Sequence, residues 1–246
     1  MVSNQISMNP FSIARVLGAV AFLLVLASLI GQLMTYVSGQ ADVNGLAWFF
    51  YVDGEYNIPS SFSALLLLFA ALLLAVITLL EREQSNSMVL HWMVLSLGFF
   101  YMATDEVLSF HEKAIMPVRK LLGNDHYGVF YYAWVIPGIL VVFILGLFFL
   151  RFLSRLPVRT RFAFLTAGIL YVGGAIGVEL IGGRFDELHG KLNLTYSMIV
   201  TAEESLEMAG VIIFIWALLR YIADNYKEVR FRFVVMHKEV PVNNPK

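Results

Sequence analysis

Residues 103–113 read ATDEVLSFHEK, at the end of HWMVLSLGFFYM, an apolar run suited to the middle of a membrane. Asp105, Glu106, His111 and Glu112 can bind cations or move protons, yet they stand where burying a charge is costly. Two further apolar segments carry the same kind of group. GVELIGG holds Glu179, and TAEESLEM holds Glu203, Glu204 and Glu207. At roughly 100° per residue, Asp105, Ser109 and Glu112 share one helix face, with Glu106 at its edge. Glu203, Glu204 and Glu207 fall within an arc of about 100°, and Gly210 on that face permits a second helix to come close. In a regular helix His111 points about 120° away from the Asp105 face. It is then either a ligand from a distorted helix end or a group that orients one.

One acid at the centre of a bilayer costs about 2.5–3.5 kcal/mol, so seven at full depth would cost on the order of 20, above a typical folding stability of roughly 5–15. Like charges in one band also repel. Protons, bound cations or a water-filled cavity must offset this. The sharpest solution is a divalent metal. Carboxylates with one or two histidines suit Fe, Zn or Mn, and carboxylates alone suit Mg or Ca. The expected ligands are Asp105, Glu106, His111, Glu112, Glu179, Glu204 and Glu207, with Asp105 and His111 as ligands or as the groups behind them. His126 and His189 are available to complete the set. Di-iron bundles use Glu-x-x-His pairs, whereas Glu204-x-x-Glu207 and Asp105-x5-His111 stand here. A hydrated cavity without tightly bound metal is a second reading, and interfacial residues at misplaced helix ends a third. Lys113 is expected as a local counter-ion for Glu112 or Asp105, and Tyr131 or Tyr132 as hydrogen-bond partners of the carboxylates.

The elements that must position these groups follow from composition. The 246 residues are 59% hydrophobic and only 14% charged, against roughly 25% charged in a soluble domain. The expected class is an all-α polytopic membrane protein with six transmembrane helices in one bundle. Length and hydropathy place the spans at about 12–37, 60–80, 89–112, 129–152, 161–183 and 196–222, followed by a basic tail over 223–246. NIPSS (57–61) reads as a helix start, and YYAWVIPG (131–138) as an aromatic belt followed by a proline bend. GGAIG (173–177) permits a helix break. Six spans put the termini and two loops on one side with twelve of the seventeen Lys and Arg, so both termini are expected in the cytoplasm and the protein in the inner (plasma) membrane. The three acidic segments then share one depth, toward the outer face. The absence of cysteine excludes disulfides, iron–sulfur clusters and thiol catalysis. Nothing in the charge pattern points to nucleic acid.

The motifs NIPSSFSALLL, TDEVLSFHE, YYAWVIPG, GGAIGVELIGG and AEESLEMAG resemble those of a widespread set of bacterial six-helix integral membrane proteins. Their acidic signatures are DE-x4-HE, GxEL and EE-x2-EM. The resemblance implies the six-helix architecture and singles out the acidic motifs; no established activity comes with it.

The function expected from these residues is that of a membrane metalloprotein whose site opens outward, acting as an enzyme on a lipid or membrane-soluble small molecule. The metal would activate water or dioxygen and a free carboxylate would act as base. A cation- or proton-coupled transporter is the rival; it requires ionisable groups reaching mid-membrane. A non-catalytic assembly or binding subunit, with acids facing lipid in the monomer, is the third reading.

Overall fold

The computed structural model describes residues 9–37, 46–84, 87–123 and 126–226. The expected basic tail beyond Tyr226 lies outside the described residues. Those described form helices joined by short links. The long apolar ones are α1 (Pro10–Val37), α3 (Ile58–Glu83), α6 (Val135–Arg155), a continuous span Val158–His189, and α9 (Leu194–Asn225). These five are long and apolar enough to cross a membrane, and α4 (Val89–Leu108) with α5 (Phe110–Leu122) makes a sixth if that bent pair counts as one. A short helix, α2 (Leu46–Phe50), lies between α1 and α3.

Helix α9 is the centre of the bundle, packed against α1, α3 and α7 (Val158–Val172). Leu74, Ile215 and Leu218 are fully enclosed between these helices. Between helices surrounded by hydrocarbon, such side chains contribute close packing rather than removal from water. The bundle's outer faces stay apolar: Leu140, Phe143, Leu147 and Leu150 of α6 are all exposed, as suits a helix whose outer solvent is hydrocarbon.

The expected span 89–112 is two helices. The chain turns by 82° at Ser109, which takes left-handed backbone angles (φ 49°, ψ 47°). Polar side chains take over the backbone groups that the break would orphan. The Asp105 carboxylate accepts the His111 N–H at 3.0 Å. Lys113 donates to the Leu108 carbonyl at 2.6 Å, and the Ser109 hydroxyl donates to Glu55. Lys113 is therefore spent on the backbone and forms no ion pair with Glu112 or Asp105, contrary to the sequence expectation. With neither glycine nor proline at the bend, hydropathy runs straight through it.

Two more expectations change. The fourth span begins at Val135, not 129; residues Gly128–Phe130 form a 3-10 turn. Pro137 thus sits in the first helical turn, where its missing N–H leaves no gap, and it makes no bend. In the fifth span GGAIGV does not break the helix. It widens into a π-helical turn (Gly173–Val178) between α7 and α8 (Glu179–His189). Gly174 lies against α9, where a Cβ would stand 2.9 Å from the Glu203 carbonyl oxygen.

Helix starts are legible. Asn57 accepts from the Ser60 N–H at 3.1 Å and Ser60 returns the bond to the Asn57 N–H at 3.1 Å, a capping box that begins α3 at NIPSS. Asn193 caps α9 by accepting from the Tyr196 N–H at 2.9 Å.

Candidate functional site: a carboxylate-lined cavity

The bend at Ser109, the π-helical turn midway along Val158–His189 and the first half of α9 meet around one space. They enclose a cavity of about 140 Å³, room for on the order of ten waters. Every one of the seven candidate residues lines it: Asp105 and Glu106 from α4, His111 and Glu112 from α5, Glu179 from α8, and Glu204 and Glu207 from α9. Glu203 joins them from α9. So does Asp53, from the link between α1 and α3. Chain segments far apart in sequence therefore place eight carboxylates around one water-sized space.

The bend explains His111. A carboxylate can only accept, so the His111 Nδ1 proton donates to Asp105 Oδ2 at 2.6 Å. That fixes the tautomer and leaves Nε2 as the ring nitrogen available to the cavity. The ring also packs on Trp134, with centroids 5.0 Å apart. Trp134 in turn donates its indole N–H to Glu179 at 2.8 Å. Asp105 thereby holds His111 by both its backbone and its ring, an arrangement that a regular helix would forbid.

Glu203 differs from its neighbours. It is 8% exposed, and its Oε2 has no hydrogen-bond partner among the described residues. An unpartnered carboxyl oxygen at such a depth is costly unless a proton, a water or a cation meets it.

The remaining wall is aromatic. The Tyr132 hydroxyl donates to Asp186 at 2.7 Å and so accepts from Tyr196 at 2.9 Å. Of the tyrosines named from sequence, Tyr132 bonds Asp186, which is not one of the candidate carboxylates. Tyr131 instead stacks its ring on the Arg119 guanidinium, 4.1 Å away. Glu187 secures the neighbouring loop by accepting the Tyr127 N–H at 2.7 Å. His126 and His189 are not in the cavity wall; His189 stacks on Phe185 instead.

Among the described residues, no three His, Asp or Glu side chains converge closely enough to grip one metal ion as they stand. The ready-made ligand set expected for Fe, Zn or Mn is not present in this form. The carboxyl groups are spread around the cavity wall rather than gathered onto one point.

Sequence reasoning did not assign Asp53, Lys191, Tyr171 or Tyr196 to the site. All four line the cavity. Asp53 and Lys191 lie in the first and last of the three links that the expected six spans would bring to one end, so the expected topology held that signal.

Asp53 is accessible from the mouth, yet protein surrounds it on most sides. That desolvation pushes its carboxyl from 3.8 up to about 6, against the pull of Lys191. Tyr51, whose hydroxyl donates to Asp53 at 3.2 Å, Glu179 and Glu112 also face it. A raised acid favours the folded state while protonated. Its stabilising contribution is complete below 3.8 and is lost as pH rises through about 6. Thermal midpoints of wild type and Asp53→Asn, compared across this range, should converge at the acidic end. The variant should gain on wild type toward neutral pH; parallel curves would reject this assignment.

No curated protein and no solved structure matches the chain. The profile of one domain family matches residues 16–222, which takes in every element that lines the cavity. By that match the chain belongs to the family described as a domain of unknown function, DUF8692.

Proposed function

We propose that this protein is an integral membrane protein that binds a divalent cation in its carboxylate cavity and uses it in chemistry on a lipid or another membrane-soluble small molecule. The observation that carries the reading is the Asp105–His111 pair in the wall of a cavity where Glu203 Oε2 is buried without a partner among the described residues. A carboxylate behind an imidazole is the arrangement that fixes metal-binding or proton-accepting histidines. Eight carboxylates and one such imidazole supply hard donors. Their spread around a wet space suits a cation that keeps part of its water shell, as magnesium-like ions do, over one held in a closed chelate.

A bound divalent cation would polarise water or a substrate oxygen. The protein's own part would be to attract that hydrated cation with the charge of the cavity wall, and to accept a proton at His111 Nε2 while Asp105 steadies the ring. With twelve of seventeen basic residues on the opposite side, the cavity opens away from the cytoplasm of an inner-membrane protein. Beneath it the bundle is apolar, through Leu66, Leu67, Ala70, Val211 and Phe214. That layer supports a closed-bottomed site over a through-route for ions. The shared cavity likewise supports a ligand site over acids that face a partner through lipid.

The test is titration of full-length, detergent-purified protein with Mn²⁺ and Ca²⁺, read by calorimetry and thermal midpoint. Saturable binding near one ion per chain is expected, with a stabilisation of about 2.7 kcal/mol at a hundredfold excess over Kd. No binding and no shift at millimolar ion would reject the proposal.

A further inference from the structure

We infer that Lys191 is a tethered counter-ion of the cavity, and that it sets the site's preference for divalent over monovalent cations. This rests on the cation-binding reading above. Among the described residues, Lys191 is the one lysine in the cavity wall.

Its backbone is held from both sides. Gly190 turns the chain at φ +77°. Asn193 donates its side-chain amide to the Gly190 carbonyl at 2.7 Å and its backbone N–H to the Lys191 carbonyl at 2.9 Å. The side chain is exposed. Its ammonium lies over the Tyr132 ring at 5.0 Å and the Tyr196 ring at 5.8 Å. Those two rings are themselves fixed by the hydrogen bonds that join them to Asp186. An aromatic shelf of this kind attracts a cation without binding it to one point.

Among the described residues, Lys191 forms no ion pair with any single carboxylate. Its charge nevertheless bears on Asp53, Glu112 and Glu179, from three separate segments. A strongly hydrated charge on a flexible four-carbon stem then does what a loosely held monovalent ion would do. It lowers the repulsion among the acids and leaves when something better arrives. A sodium or potassium ion offers the same single charge and must still displace a group that cannot diffuse away. A divalent ion offers twice the charge and wins.

The experiment titrates Mn²⁺ into full-length wild type, Lys191→Met and Lys191→Arg, at low and high NaCl. Lys191→Met should bind Mn²⁺ about tenfold more tightly, since one positive charge has left the cavity. Its affinity should fall steeply with added Na⁺, while wild type and Lys191→Arg respond weakly. A lysine that merely supports the loop would give no such gain. If wild type binds Mn²⁺ and Lys191→Met binds it no more tightly, or with no greater sodium sensitivity, this inference is wrong while the cation site stands. If wild type binds no divalent ion, the site reading falls and takes the inference with it.

Discussion

A Glu204→Gln/Glu207→Gln variant is expected to lose cation binding and yet to melt higher than wild type when cations are chelated. The two residues stand three apart on α9 and both line the cavity. Glutamine keeps their shape and removes two ionisable groups from a set of eight. Removing ligands should lower divalent affinity by on the order of 100-fold, at least the loss seen when only the groups behind metal ligands are changed. In chelator the same change relieves like-charge repulsion. A relief of about 1–2 kcal/mol would raise the thermal midpoint by roughly 2–8 °C in a chain of this size. The opposite signs make the test sharp, because a variant that merely damages folding would lose both. Wild-type Mn²⁺ affinity in the variant, or a lower midpoint in chelator, would count against the carboxylate cavity as the cation site.

The second large effect concerns the backbone contact that brings Glu203 and Glu207 into place. A Cβ at Gly174 would meet the Glu203 carbonyl oxygen at 2.9 Å, Glu207 Cγ at 3.0 Å and Leu206 Cβ at 3.3 Å. The carbonyl belongs to the backbone of α9, so it moves only if the helix moves. Gly210 makes the reciprocal contact, where a Cβ would stand 2.8 Å from the Ala167 carbonyl oxygen and 2.9 Å from the Tyr171 nitrogen. Overpacking of this kind costs about 1–3 kcal/mol for a single methyl group and more for a branched chain. Gly174→Val should therefore lower the thermal midpoint by several degrees and weaken cation binding, because α9 is pushed away from the π-helical turn. Gly177 is the control. It lies in the same turn with nothing within 4 Å of its virtual Cβ, so Gly177→Ala should leave binding unchanged and fold at least as stably. Equal damage from Gly174→Val and Gly177→Ala would show that the turn needs glycine for flexibility rather than for close approach.

These contacts also mark where the sequence stopped being readable. The five long spans follow from runs of apolar residues, a local property. Asn57 and Asn193 announce the starts of α3 and α9 because capping is local too. The bend at Ser109 was missed for the opposite reason. It is held by side chains that act across the break and by Glu55 from a distant link, and no residue there is a helix breaker on its own. The π-helical turn could be read only as a weak point, since GGAIGV permits a break as well as a widening.

What the amino-acid order determines by itself is the helical, membrane-compatible class and the shared depth of three acidic segments. Hydropathy and the alternation of chain direction suffice for both. Tertiary structure alone decides that Asp105 holds the His111 ring, that Asp53 and Lys191 join the wall, and that the acids line a cavity rather than converge on one point. Those outcomes depend on distances between segments up to 154 residues apart along the chain, from Asp53 to Glu207. They are set by which helices can touch and by how far like charges push apart once they do.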